Sequence, residues 1–146
     1  MPKPKKIIND PAKSVDEFIE GLLFQYPNKL AKLQNHHVVL KQKFENQVHL
    51  LSGGGSGHEP SHAGWIGSGM LSGAICGGIF ASPSVASILA AIRAAKNDKG
   101  VLLVVKSVSS KSTRNPRWHF ATRTRLSVKH FYLLSTTKNL VHGRSP

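Results

Sequence analysis

The chain has 146 residues, enough for one ordinary domain with a hydrophobic core, and its formal net charge is +13. The charge is uneven, because residues 1–106 hold all 7 acidic residues whereas residues 107–146 hold 8 basic residues and no acid. Cys76 is the single cysteine, which excludes an internal disulfide and favours a reducing compartment. Since the basic N-terminus lacks the apolar segment of a secretory signal, we expect a cytoplasmic protein.

An amphipathic helix is predicted near the N-terminus. Ser14 and Glu17 have the spacing of a capping box, in which each side chain satisfies a free backbone N–H group. Apolar residues then recur on one helical face over residues 15–23, and Pro27 ends the pattern. We expect this helix to pack on a core and to carry no chemistry.

Two short strands are predicted next. Residues 37–41 and 47–52 are rich in valine and leucine, whereas residues 30–35 are predicted as a short helical turn or a loop. His36 and His37 are adjacent, but a metal site needs at least a third ligand nearby. We therefore expect a surface or core role for both histidines.

Residues 60–92 contain no charged side chain, so a membrane-spanning helix has to be considered. The spacing of Gly69, Gly73 and Gly77 also matches a pattern that packs helices in lipid. Against a span stand the many glycines and serines and a central proline. We predict two buried helices that break near Ser82-Pro83, the second of them over residues 84–95.

A buried strand is predicted over residues 101–106, after a turn at residues 97–100. Strand, glycine loop, helix and strand together make a βαβ unit, which is typical of a parallel sheet. Ligands of such sheets bind at the carboxyl ends of the strands. This rule places the loop over residues 53–58 and Lys106 at one edge.

The stretch 50–64, Leu-Leu-Ser-Gly-Gly-Gly-Ser-Gly-His-Glu-Pro-Ser-His-Ala-Gly, is the candidate functional site. Its clustered glycines let backbone N–H groups come close to a small ligand. A Walker phosphate loop is excluded because no lysine lies between Lys43 and Arg93. A dinucleotide fingerprint fails on glycine spacing, and a nucleophile elbow fails because glycine follows Ser56 directly.

What remains is a loop for a small neutral polyol or keto-alcohol, with donors and acceptors from Gly55, Ser56 and Gly57. His58 is the side chain that can polarise a carbonyl or move a hydroxyl proton near neutral pH. Taken alone, His58 fits a structural cap on the loop backbone equally well. We expect Glu59 to brace the turn, and no metal site is predicted.

The order of residues in 50–64 resembles the signature of the dihydroxyacetone (glycerone) kinase family, in its substrate-binding DhaK domain. The resemblance covers about residues 5–106, and among animals it points to the bifunctional triokinase/FMN cyclase type. It continues through residues 67–73, 82–85, 87–93 and 102–106. It implies that residues 1–106 form the N-terminal part of an α/β domain with βαβ units, a mostly parallel sheet and a Gly-rich substrate loop after a strand.

The resemblance also implies roles for individual residues. Gly55, Ser56, Gly57 and His58 match the loop that binds dihydroxyacetone, with His58 as the catalytic residue that hydrogen-bonds the substrate and assists proton transfer. Lys106 matches a substrate-site residue at the end of the buried strand. Full-length members phosphorylate dihydroxyacetone in glycerol metabolism, use ATP and Mg²⁺ on a separate domain or a bacterial phosphoprotein relay, and are expected to be homodimers.

The resemblance stops after Lys106. The family continues with a segment whose aspartate serves the substrate, and it holds the substrate covalently through a histidine far downstream. No aspartate follows Lys106 here, and the later histidines lie in unmatched sequence. We therefore expect an N-terminal fragment with little or no kinase activity and no cofactor of its own.

Residues 107–146 form a basic segment foreign to the family, as a frameshift or a retained intron would produce. Its composition is typical of a disordered tail. Two alternatives stay open: a nucleic-acid-binding arm with stacking aromatic side chains, and a non-catalytic module that binds a small ligand through the glycine loop. Nucleic acid is the less favoured partner, and no membrane association is expected.

Overall fold

The computed structural model describes residues 7, 9–105, 131–135 and 140–143. These residues form two α-helices, α1 (Ser14–Gln25) and α2 (Val85–Ala95), and two short 3₁₀ helices, Pro11–Lys13 and Ala63–Trp65. They also form the strands β1 (Leu30–Lys32), β2 (Val38–Lys41), β3 (His49–Ser56), β4 (Gly73–Ile79), β5 (Val101–Val105), β6 (Phe131–Ser135) and β7 (Leu140–Gly143).

The strands lie in one sheet, in the order β1-β2-β4-β3-β5-β6-β7. The four central strands are parallel, whereas β1, β2 and β7 run antiparallel to their neighbours. β3 lies between β4 and β5, and Gly53 is in register with both Ile75 and Val105. The predicted α/β class is confirmed, but the sheet is mixed rather than mostly parallel, with three parallel and three antiparallel pairings among the described strands. The carboxyl ends of β3 and β5 meet at one edge.

Helices cover both faces of the sheet. α2 packs its buried face, which includes Ile88 and Ile92, on one side, and α1 packs Val15 and Ile19 on the other. Side chains alternate between these layers in β2, where Val38 belongs to the α2 layer and Val39 to the α1 layer. The predicted burial of β5 holds at Val101 and Leu103, which are fully buried.

α1 begins at Ser14 as predicted, but the predicted capping box is wrong. Ser14 is already helical (φ −54°, ψ −38°), and its hydroxyl donates to the Pro11 carbonyl at 2.9 Å. Asp10 is the residue that caps here, since its carboxylate accepts from the Ala12 N–H at 2.9 Å. The 3₁₀ turn at Pro11–Lys13 runs directly into α1, which moves the cap upstream of Ser14.

Two predicted secondary structures are wrong. Residues 60–81 form turns, the 3₁₀ helix Ala63–Trp65 and the strand β4 rather than a buried α-helix, and residues 30–35 contain β1 rather than a helical turn. Close packing requires one of the β4 glycines: a Cβ on Gly77 would clash with the backbone carbonyl oxygen of Ala81 and lie 2.9 Å from that of Gly54. The α2 prediction is confirmed, with Ser84 as the cap, whose hydroxyl accepts from the Ser87 N–H at 3.1 Å.

Within residues 107–146, the structure describes nine residues, and they form β6 and β7. The expected disorder does not hold for these residues, because their backbones pair with β5 and with each other. The rest of this segment, and Lys106, lie outside the described residues. No helix of the described part has the length and apolar character needed to cross a membrane.

Candidate functional site

The glycine cluster belongs to β3 rather than to a loop, so the predicted strand over residues 47–52 extends four residues further, to Ser56. Close packing requires these glycines. A Cβ on Gly53 would lie 2.6 Å from the Ile75 carbonyl oxygen, and one on Gly55 would lie 2.8 Å from the Ala81 nitrogen. The bend comes only at Gly57, whose φ of +104° lies in the left-handed region that favours glycine.

Two hydrogen bonds of Ser56 connect the end of β3 to the end of β4. Its buried hydroxyl donates to the Gly77 carbonyl at 2.8 Å, and its own carbonyl accepts from the Phe80 N–H at 2.8 Å. The hydroxyl proton is thus committed within the protein, and only the oxygen lone pairs are left to accept from a ligand. Ser56 therefore acts first as a structural connection under the turn.

Glu59 braces the turn, as predicted. Both of its carboxylate oxygens lie 3.1 Å from the Gly57 nitrogen, so they accept from the N–H that a small ligand would otherwise use. This contact is solvent-exposed, which makes it easy to exchange for a ligand oxygen. The Gly57 N–H is therefore a donor with a replaceable partner.

His58 stands exposed at the tip of this turn. Its Nδ1 lies 3.4 Å from the Gly55 carbonyl oxygen, an acceptor, so the neutral ring that fits this contact carries its proton on Nδ1. In that tautomer Nε2 keeps its lone pair and can accept a proton from a hydroxyl group. The geometry thus supports proton transfer at Nε2 and also contains the capping contact that the sequence left as an alternative.

Phe80 is a site residue that sequence reasoning missed. Its ring meets the His58 ring edge to face, with 5.2 Å between centroids and an angle of 89°. Its φ of +51° is unusual for a bulky residue, and 67% of its surface is exposed. The signal available in the sequence is an aromatic residue directly after a glycine-rich strand.

A second histidine joins the site through Ser52, a contact the sequence did not reveal. The buried Ser52 hydroxyl donates to the Val104 carbonyl at 2.9 Å and lies 2.8 Å from His62 Nδ1. Because that hydroxyl proton is used on Val104, His62 Nδ1–H is the donor in the second contact. This chain of contacts links segment 58–62 to the carboxyl end of β5.

No metal centre forms among the described residues, where no three His, Cys, Asp or Glu side chains come together to hold an ion. His36 Nδ1 lies 3.2 Å from the Ser87 hydroxyl, whereas His37 Nε2 lies 3.0 Å from an Asp16 carboxylate oxygen. The hydrogen bond from Lys32, with His37 acting in the same direction, lowers the pKa of Asp16 below its ordinary 3.8.

Cys76 lies in β4, next to Gly54 of β3. Burial, reinforced by the negative charge of Glu59, raises the pKa of its thiol to about 12. Because the thiolate is the nucleophilic form of cysteine, this thiol is unreactive at neutral pH. Cys76 is therefore a core residue, packed with the side chains of the α1 layer.

Comparison with known families identifies the class of protein that this fold and turn define. Residues 20–109 match the family model described as the Dak1 domain, which is more than half of the chain. The chain belongs to the Dak1 family.

Three curated relatives make the resemblance specific. A putative 3,4-dihydroxy-2-butanone kinase of Solanum lycopersicum is 52% identical, and the triokinase/FMN cyclase of Homo sapiens is 51% identical. The dihydroxyacetone-binding subunit DhaK of a PTS-dependent dihydroxyacetone kinase from Lactococcus lactis is 43% identical. Each alignment covers 70% of this chain, but the chain spans only 18%, 19% and 31% of these relatives.

Solved structures agree with this assignment. The structure of the dihydroxyacetone kinase of C. freundii, in complex with AMP-PNP and Mg²⁺, superposes on this chain with a TM-score of 0.79 and 33% sequence identity. The match covers 95% of this chain and 28% of the C. freundii chain. The dihydroxyacetone kinase operon co-activator Dha-DhaQ matches 82% of this chain and 36% of its own, with a TM-score of 0.67 and 32% identity.

Proposed function

We propose that this chain carries the dihydroxyacetone-binding turn of a dihydroxyacetone (glycerone) kinase-type protein. The observation that carries the proposal is the position of His58, exposed at the carboxyl end of β3 with Nδ1 turned toward the Gly55 carbonyl. In open parallel sheets, ligands bind at this edge. The name of the Lactococcus relative, a dihydroxyacetone-binding subunit, supports the choice of substrate.

The proposed binding residues divide into two kinds. The Gly57 N–H and His58 Nε2 contact the substrate, the first as a donor to its carbonyl oxygen and the second as an acceptor from a hydroxyl group. Gly55 and Ser56 hold the turn in place, since Gly55 packs against Phe80 and Ala81 and the Ser56 hydroxyl bonds Gly77 of β4. Lys106, which follows β5 in the sequence, stays a proposed contact.

The phosphoryl donor has no fitting site in the described residues. They contain no carboxylate cluster for Mg²⁺, and the sequence has no Walker lysine after its glycine cluster. The AMP-PNP and Mg²⁺ of the C. freundii enzyme are thus not assigned to residues of this chain. We propose that the chain binds the triose and has little or no kinase activity by itself.

Dihydroxyacetone titration, followed by NMR on the purified 146-residue protein, tests the proposal. Replacing His58 with alanine is expected to weaken binding roughly five-fold, because one hydrogen bond to the ligand contributes about 1 kcal/mol. The urea midpoint should stay unchanged, since His58 is exposed. Replacing His37, a histidine paired with Asp16 away from the turn, is the matched control.

Two results would contradict the proposal. If His58→Ala bound dihydroxyacetone as well as the parent chain, His58 would be only a cap. If His37→Ala weakened binding equally, the effect would not be local to the turn. Transfer of phosphate from ATP to dihydroxyacetone by the purified chain would contradict its proposed inactivity.

A second candidate is a ligand sensor without catalysis, which the likeness to the operon co-activator favours. Dihydroxyacetone binding without turnover, combined with binding to another protein, would favour it. If the non-catalytic protein acts through the basic segment 107–146 instead, we expect nucleic-acid binding that weakens steeply as the salt concentration rises. Binding of a DNA or RNA oligonucleotide at two salt concentrations distinguishes these alternatives.

Oligomeric state and location complete the proposal. We propose a homodimer, as the resemblance implies for full-length members, and light scattering on the purified chain measures its mass directly. We also propose a cytoplasmic location, which is consistent with a single cysteine that lies buried in the core.

A further inference from the structure

A cavity of about 460 Å³ lies between the end of α1, the β1–β2 hairpin and segment 63–68. Its position on the α1 face separates it from His58, which does not line it. Its apolar lining includes Leu22, Leu30, Ala63 and Ile66, and Tyr26 also lines the cavity. The size and apolar lining are typical of sites for small organic molecules.

Lysines dominate the charged rim of this cavity. Lys29, Lys41 and Lys43 line it together with Glu45. Lys41 is paired with Glu45 at 3.5 Å, which leaves Lys29 and Lys43 without an ion pair among the described residues. The rim therefore has an excess of two positive charges that no carboxylate in the described part of the chain neutralises.

Hydrogen bonds partly offset the negative charge of the backbone at this rim. The carboxyl end of α1 carries partial negative charge. However, the Tyr26 carbonyl accepts from the Lys29 and Leu30 N–H groups at 3.1 Å, and the Pro27 carbonyl accepts from the Gln42 side chain at 2.7 Å. These hydrogen bonds reduce the exposed negative charge.

Gln42 also makes the rim rigid. Its side-chain nitrogen donates to the Pro27 and Leu30 carbonyls at 2.7 and 3.0 Å, and its own N–H donates to the Lys29 carbonyl at 2.9 Å. These three bonds hold the backbone of Lys29 against the segment that carries Lys43. A site whose backbone is held in this way loses less entropy when a ligand orders its side chains.

We propose that this cavity binds a small phosphate monoester with an apolar body. The apolar part lies on Leu22 and Ile66, and the phosphate is held by Lys29 and Lys43. A lysine ammonium acts as a point charge for phosphate, and the apolar lining removes the body of the ligand from water. This site does not depend on the proposed dihydroxyacetone turn.

Calorimetry on the full chain, with phenyl phosphate, inorganic phosphate and phenol as ligands, tests the proposal. The comparison separates the contribution of the lysines from that of the apolar lining. Phenyl phosphate should bind at least about ten times more tightly than either half, because it uses both the apolar lining and the lysines. Lys29→Gln and Lys43→Gln should each weaken it roughly five-fold, as expected for one exposed charge contact. Lys99→Gln removes an exposed lysine that does not line the cavity, and should change binding less than about two-fold.

A steric variant tests the cavity without changing charge. Gly67 lines it, and a Cβ there meets no atom within 4 Å, so Gly67→Leu should fold and block phenyl phosphate binding. Gly21→Leu, equally open but outside the cavity, is the control. The proposal is overturned if Lys99→Gln has the same effect as Lys29→Gln, if inorganic phosphate binds as tightly as phenyl phosphate, or if Gly67→Leu binds normally. We expect all these variants to bind dihydroxyacetone as the parent chain does. The cavity proposal and the His58 proposal can therefore fail independently.

Discussion

Replacing Gly55 with alanine is expected to destabilise the fold itself, before any ligand is considered. The added Cβ would lie 2.8 Å from the Ala81 nitrogen and 2.9 Å from the Phe80 carbonyl carbon, whereas ordinary contacts begin at 3.4 Å. The backbone on one side must therefore move by roughly 0.5 Å, which forfeits part of the dispersion energy along the contact. Overpacking of this kind costs about 1–3 kcal/mol.

Urea unfolding measures this cost. With a slope of about 1.5 kcal/mol per molar urea, a loss of about 2 kcal/mol lowers the midpoint by about 1.3 M. Gly21→Ala is the control, because a Cβ at Gly21 meets nothing within 4 Å and the residue lies inside α1. That change should raise stability by about 0.5–1 kcal/mol, since alanine favours a helix over glycine.

One outcome would refute this reasoning. If Gly55→Ala unfolded at the same urea concentration as the parent chain and lost dihydroxyacetone binding, the glycine would serve ligand approach and not strand packing. The predicted pattern is the reverse: a lower midpoint in the absence of ligand.

Three further predictions concern single side chains. Cys76 should resist a thiol reagent at pH 8 in the folded protein and react once urea unfolds it, because its pKa of about 12 leaves little thiolate; rapid labelling of the native chain would contradict its buried position. Because the pKa of Asp16 is depressed in the folded state, its contribution is present above about pH 4 and is lost as the pH falls. Asp16→Asn should thus lower the free energy of unfolding at pH 7, by less than about 1 kcal/mol for a half-exposed pair, and this loss should shrink as the pH falls below about 4; a loss that stays the same as the pH falls would rule out the charge. Ser84→Ala should cost about 1 kcal/mol of unfolding free energy through the lost α2 cap, whereas Ser14→Ala should cost much less; equal losses in urea unfolding would restore the predicted capping role of Ser14.

The strongest sequence predictions came from segments whose patterns are local. The apolar run from Val101 identifies β5 as a buried parallel strand, and the small apolar residues between Ser84 and Ala95 identify α2. Both follow from local composition and from the turn or start residues before them, which neighbours in space do not alter. The order of residues over 50–64 was enough to predict the family and the position of His58.

The wrong predictions concern segments whose structure depends on distant partners. β4 has many small residues and no clear period, and it becomes a strand because β2 and β3 lie on either side of it. The glycines of β3 suggested a loop that lets a small ligand approach, but Ile75 and Ala81 pack against Gly53 and Gly55 and leave no room for a Cβ. No local propensity contains that information.

The sequence by itself determined the fold class, the family and the turn on which His58 stands, because these depend on short-range order and composition. The tertiary structure decided which groups surround that turn. It brought Phe80 against the His58 ring and turned the Ser56 hydroxyl toward Gly77. These contacts join residues far apart in the chain, and they form only when β4 pairs beside β3.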